Sequence, residues 1–198
     1  MWIIRGLKKG VITSPFPNKS DATIPLSLYP ENTDKCVISE EMSRFGCLGC
    51  GLCNANMKRL ENAIEIDKPL RFPVKKSLHI FFLDVGTCGA CNREISLLKA
   101  PQYDLHRLGM FFTPTPKHAD VMLVAGELTE EMIPVLKEAY ELMPKPNGVI
   151  AVGSCASNDT AYRKIGEIVP LNGRIGGCPP QPLSILKALL VFAGRWEP

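Results

Sequence analysis

The chain has 198 residues, 23 Lys and Arg against 20 Asp and Glu, a formal net charge of +3 and 45% hydrophobic residues. That is the composition of a globular protein able to build one good core and one small appendage. The charge is too slight to argue for nucleic acid, and no basic run interleaved with aromatics supports such a partner. No run of about 18 apolar residues exists to cross a bilayer.

Residues 1–19 carry Arg5, Lys8, Lys9 and Lys19 without an acid, beside Trp2, Ile3, Ile4, Leu7, Val11 and Ile12. A basic, amphipathic start of this kind suits a peripheral membrane contact or a partner surface. Pro15, Pro17, Pro25 and Pro30 then indicate an extended arm, because proline blocks regular ladders and restricts the residue before it. The expected divisions are a basic helix and arm over residues 1–35, a Cys-rich extension over 36–75 and a main domain over 76–198. Within the extension, MKRLENAI (57–64) reads as a short helix, and Pro69 and Pro73 mark a linker.

From Ser77 onward strands and helices alternate. LHIFFLDV (78–85) is a continuous apolar run, the pattern of a parallel strand buried on both faces. NREISLLKA (92–100) begins a helix, ADVMLVAG (119–126) is a second strand and TEEMIPVLKEAYELM (129–143) a second helix. GVIAVGSC (148–155) is a third strand ending at Cys155, and PLSILKALLVFAG (182–194) is a closing helix with Pro182 in its first turn and Gly194 near its stop. Such alternation predicts an α/β fold with an open, mainly parallel sheet covered by helices, preceded by the irregular Cys-rich extension. Ligands of such sheets sit beyond the carboxyl ends of the strands, where Cys88, Cys91 and Cys155 fall.

Eight cysteines, with no recognisable secretory leader ahead of them, point to metal ligation in a reducing compartment rather than to a disulfide scaffold. Four occur as DVGTCGACNREI (Cys88, Cys91), VGSCAS (Cys155) and GGCPPQP (Cys178). Thiolates suit zinc, Cu(I) or iron-sulfur clusters, and zinc sites usually use two tight Cys-x-x-Cys pairs, whereas Cys155 and Cys178 are single. A 4Fe-4S cluster is therefore the favoured reading. Glu94 follows Cys91 by three residues, which puts it one helical turn from the same loop, either to handle protons or to stabilise a helix start. Asp84 reads as a loop-ordering side chain. Cys47, Cys50 and Cys53 repeat at the spacing of bacterial ferredoxin ligands but lack the usual fourth cysteine before a proline. Cys36 is the one cysteine left to complete a second 4Fe-4S cluster; a three-iron cluster, zinc or a ligand from a partner remain open. His79, His106 and His118 have no ligand spacing, and there is no phosphate loop, nucleophile elbow or dinucleotide fingerprint.

The order Cys-x-x-Cys-x-x-Glu, Gly-Ser-Cys, Gly-Cys-Pro-Pro-x-Pro, with the intervening APQYDLHRLGMFFTPTPKHADVMLVAGELTEEM, resembles the small subunit of nickel-iron hydrogenases, above all the membrane-bound energy-converting group, and the homologous cluster subunit of complex I. Complex I subunits carry adjacent cysteines where this chain has Cys88 and Cys91 separated by two residues, which favours the hydrogenase branch. GVITSPFP (10–17) is similar to the start of the ferredoxin-like subunits accompanying such hydrogenases, with Phe16 in place of a Tyr. The resemblance implies a flavodoxin-like domain whose Cys88, Cys91, Cys155 and Cys178 hold a 4Fe-4S cluster, and a proton-relay role for Glu94. It also implies a large catalytic subunit that carries the substrate site, a ferredoxin-like or other electron-carrier subunit, ion-translocating membrane subunits, and a peripheral place on the cytoplasmic face of the membrane. A complex I-like quinone oxidoreductase or nickel-free relative is the alternative, and a zinc-stabilised interaction module a second.

Overall fold

The computed structural model describes residues 27–30, 36–37, 43–53, 56–60, 62–67, 69–70, 76–157 and 164–196. The basic start, the GVITSPFP segment and most of the arm lie outside the described residues. The elements, in chain order, are strands β1 (Ser27–Pro30), β2 (Met57–Leu60), β3 (Ile64–Ile66) and β4 (Leu78–Asp84), then helix α1 (Ala90–Leu97). They continue with β5 (Met110–Phe112), β6 (Val121–Ala125), α2 (Met132–Leu142), β7 (Gly148–Val152), α3 (Ser154–Ser157), α4 (Ile165–Ile168), β8 (Gly173–Ile175) and α5 (Pro182–Phe192).

Six strands form one sheet in the order β3-β8-β7-β6-β4-β5, parallel throughout except for β3, which runs antiparallel to β8. Numbered among the parallel strands alone, this is the 2-1-3-4-5 order of a flavodoxin-like sheet, and its switch point lies between β4 and β6. The apolar runs read as strands buried on both faces divide accordingly. Val121, Leu123, Ala125, Ile150 and Val152 pack with α5 and with Ile95 of α1. Met122, Val124, Val149 and Ala151 face the other way, against Leu136 and Ala139 of α2 and Ile165 of α4. Helices thus cover both faces, and alternate residues of one strand feed opposite cores.

The helix expected over MKRLENAI is not formed. Met57–Leu60 pairs antiparallel with Ser27–Pro30, and Ile64–Ile66 pairs with β8. Eight residues of helix-forming composition are too few to hold a helix unaided, so pairing with distant partners prevails. Asn62, between the two strands, is buried. Asp67 and Leu70, in the expected linker, donate backbone hydrogen bonds to Asn172 and Phe192, and Leu70 joins the core. β5 and β8, three residues each, had no pattern long enough to be read. Asp104 and Arg107 form an ion pair after the short turn at Pro101–Tyr103.

Candidate metal centre at the strand ends

The loops following β4, β7 and β8 converge at the carboxyl edge of the sheet, and each carries thiols of the first set. Behind the β4 loop, Asp84 acts as an anchor. Its Oδ1 accepts from the backbone N–H of Gly86 at 2.9 Å and of Thr87 at 2.8 Å, and its Oδ2 from the Thr87 hydroxyl at 2.8 Å and Asn92 Nδ2 at 2.6 Å. Burial opposes its charge, yet the hydrogen bonds from Asn92, Gly86 and Thr87 prevail and hold the carboxyl at about 2. The loop-ordering role read from the sequence is the one it plays. At the switch point a side chain on Gly126 would place its Cβ 2.6 Å from the carbonyl carbon of Gly86, so the β4 and β6 loops meet backbone to backbone.

Cys91 lies in the first turn of α1, and Cys155 in the single turn of α3 directly after β7 rather than at the end of the strand itself. The β7 and β8 loops are zipped together: Gly153 N–H donates to Ile175 O and Ser154 N–H to Gly177 O, both at 2.8 Å. The result brings Cys88, Cys91, Cys155 and Cys178 within electrostatic reach of one another. Burial first, then the neighbouring Cys155, Cys178 and Cys88 thiolates and the Glu94 carboxylate, push Cys91 up to about 12. Burial raises Cys155 as well, followed by Cys178, Cys88 and Glu127, and burial and Cys88 raise Cys178. Cys91, Cys155 and Cys178, each raised by burial and by neighbouring thiolates, form with Cys88 beside them a pocket suited to a cationic core, whose binding would expel protons. Cys88, Cys155 and Cys178 are exposed, so the pocket opens to the surface.

Gly153 completes the cradle. Its φ is +90°, and a Cβ there would lie 2.5 Å from the Cys91 sulfur. Among the described residues, no three His, Cys, Asp or Glu side chains gather tightly enough for a single metal ion. Thiol donors and the cradle left by Gly153 fit an iron-sulfur cluster.

In the second set, Cys47 is buried and accepts the Gly49 N–H at 3.4 Å. Burial raises its thiol, partly offset by that hydrogen bond, and Cys36, Cys50 and Cys53 all lie close enough to raise it further. This set therefore also converges, around Cys47. It sits against the first: a Cβ on Gly176 would come 2.9 Å from Phe45 Cα, and the Arg174 guanidinium, paired with Glu65, stands 4.3 Å from the centre of the Phe45 ring. Tyr29 lies between the sets. Its hydroxyl is raised by burial and then by Cys47, with Cys178 adding to the effect. Asn62 donates to that hydroxyl at 2.8 Å, while its own Oδ1 accepts from Gln181 N–H and the Ser184 hydroxyl at the start of α5.

Glu94 is half-buried on α1 beside Cys91. Tyr29, Asn62, Ser154 and Glu127 were not singled out from the sequence; only Ser154, next to Cys155, carried a signal that marks it. His79 pairs with Asp120 at 3.3 Å, at the end of β4 opposite the thiol loop, and stacks on Phe111, which also stacks on His106. His118 closes a short 3₁₀ turn.

Fold and site together define a flavodoxin-like α/β protein whose sheet carries thiols on the loops at its carboxyl edge. The family model for the NADH ubiquinone oxidoreductase 20 Kd subunit matches residues 88–192, and the chain belongs to that family of oxidoreductase subunits. It is 32% identical over 145 residues to a probable membrane-bound hydrogenase subunit of Pyrococcus furiosus, covering 70% of this chain and 85% of the relative. An NADH-quinone oxidoreductase subunit of Saccharopolyspora erythraea is 40% identical over 107 residues, covering 50% of this chain and 49% of the relative. Among solved structures, a chain of the membrane-bound sulfane sulfur reductase, an archaeal respiratory membrane complex, is similar at 29% identity with a TM-score of 0.51, covering 61% of this chain and 70% of that one.

Proposed function

We propose that the protein is the electron-transfer subunit of a membrane-associated nickel-iron hydrogenase complex, and that Cys88, Cys91, Cys155 and Cys178 hold a 4Fe-4S cluster beside the active site of a separate large subunit. The observation that carries this reading is the mutual approach of four thiols at the carboxyl edge of the flavodoxin-like sheet. A four-iron cluster bound there would accept and release one electron at a time, at a potential set by hydrogen bonds, charge and exposure. The chain's own residues do the rest. Asp84 fixes the loop that carries Cys88, the β7–β8 zipper fixes Cys155 and Cys178, and Gly153 leaves room beside Cys91.

Glu94, next to Cys91, is the group we assign to holding and passing a proton at the large-subunit interface. Cys36, Cys47, Cys50 and Cys53 hold a second cluster that exchanges electrons with a ferredoxin-like carrier. The exposed position of Cys50, flanked by exposed Leu48 and Leu52, suits that exchange. Among the described residues no helix is long and apolar enough to cross a membrane, and attachment to the cytoplasmic face is assigned to membrane subunits and the basic start. The residue pattern Cys88-Gly89-Ala90-Cys91 supports the hydrogenase branch.

A second reading keeps the electron transfer and changes the partner to a complex I-like quinone oxidoreductase or a nickel-free relative, favoured by the family match and by the likeness to a chain of a respiratory complex named for sulfane sulfur reduction. Isolation of the intact complex with metal analysis tests the choice. Nickel together with iron supports the hydrogenase; iron without nickel supports the second reading.

A further inference from the structure

The buried hydroxyl of Ser154 occupies a junction that ligand positions alone do not require. Ser154 precedes Cys155 in the chain and is 4% exposed. Its Oγ accepts the N–H of Gly177, the residue before Cys178, at 3.3 Å, and donates to the carbonyl oxygen of Cys47, also at 3.3 Å. A single side chain thus joins the backbones at two ligands of the first thiol set to the backbone of the buried thiol in the second. Tyr29, 5% exposed and hydrogen-bonded by Asn62, lies within electrostatic reach of both Cys47 and Cys178. Resting on the two-cluster reading above, we propose that Ser154 is the positioning residue for electron transfer between the two centres, its hydroxyl closing a bonded route from Cys47 to Cys155 and Cys178.

The step is a one-electron exchange. With both centres in place, one electron would leave the one held by Cys36, Cys47, Cys50 and Cys53, oxidising it by one, and enter the one held by Cys88, Cys91, Cys155 and Cys178, reducing it by one. No proton moves and no bond between heavy atoms changes. A low-potential one-electron carrier protein supplies the electron in turn. The hydroxyl shortens the gap the electron must cross without bonds.

The test uses the full chain with both sites loaded, as wild type, Ser154→Ala and Ser154→Thr. A photoreduced flavin radical injects electrons below stoichiometry, and the concentration-independent redistribution between the two centres is followed by absorbance. Electron-spin spectra of the fully reduced samples report the magnetic interaction between centres. Ser154→Ala should keep the iron content and both spin signals, slow the redistribution severalfold and narrow the interaction splitting, while Ser154→Thr should retain the wild-type rate. An unchanged rate and splitting in Ser154→Ala overturns the junction and leaves the two-cluster reading standing. A wild-type chain that loads only one cluster overturns both.

Discussion

The two thiol sets present the same chemistry on unequal supports. Cys88, Cys91, Cys155 and Cys178 stand on loops leaving β4, β7 and β8, strands whose apolar residues are mostly fully buried in two cores. Cys36, Cys47, Cys50 and Cys53 stand on irregular chain, braced by a two-stranded ribbon of β1 and β2 and ringed by exposed Val37, Leu48 and Leu52. A two-stranded ribbon is marginal by itself. The difference teaches that the first site is preorganised by the fold, whereas the second depends on docking against it through Phe45 and Tyr29.

The comparison breaks most severely at the ligands. Cys178→Ala removes a thiol no neighbour replaces, so the first centre should be lost or become a three-iron species and electron flow should stop. Iron analysis and spin spectroscopy read this, and wild-type iron with full turnover would reject the assignment. Gly153→Ala removes no cysteine but sets a Cβ 2.5 Å from the Cys91 sulfur at a φ of +90°, so that thiol must move. The backbone strain alone is about 1–3 kcal/mol, so thermal stability should fall and iron loading of the first site should fail selectively.

A smaller and more local effect is expected at the docked set. Cys36→Ala should change or abolish the second spin signal while the first persists, and should slow exchange with an external carrier more than isotope exchange at the large subunit. An unchanged spectrum would point to a ligand from a partner. Glu94→Gln keeps the shape and removes a transferable proton, so both centres should load normally while turnover drops; equal turnover would leave Glu94 as a helix-end acid.

The smallest effect is on pH dependence. Asp84 has a carboxyl held at about 2 against an ordinary 3.8, so the folded state favours its charged form. Its stabilising contribution is present above 3.8 and is lost as pH falls toward 2. Acid unfolding of the metal-free chain should therefore lose part of its steepness over that window in Asp84→Asn. An identical acid limb in the variant would remove Asp84 from the set of loop anchors.

What the sequence made legible follows from residue type and run length. LHIFFLDV, ADVMLVAG and GVIAVGSC were readable as buried parallel strands because apolar runs on both faces leave no other arrangement in an alternating chain. The thiols were readable because cysteine announces its own chemistry. MKRLENAI misled because its local composition favours helix, while its partners lie at residues 27–30 and 173–175 and are invisible to any local window. Tyr29 and Asn62 escaped because a tyrosine and an asparagine acquire meaning only through what the fold places against them, and Ser154 was marked only by its place beside Cys155.

Metal analysis with spin spectroscopy on the full chain, purified without oxygen, tests the central claim most directly. The account predicts a brown protein with about eight irons and two distinct four-iron signals after reduction. Zinc in place of iron, with no visible absorption, would contradict it.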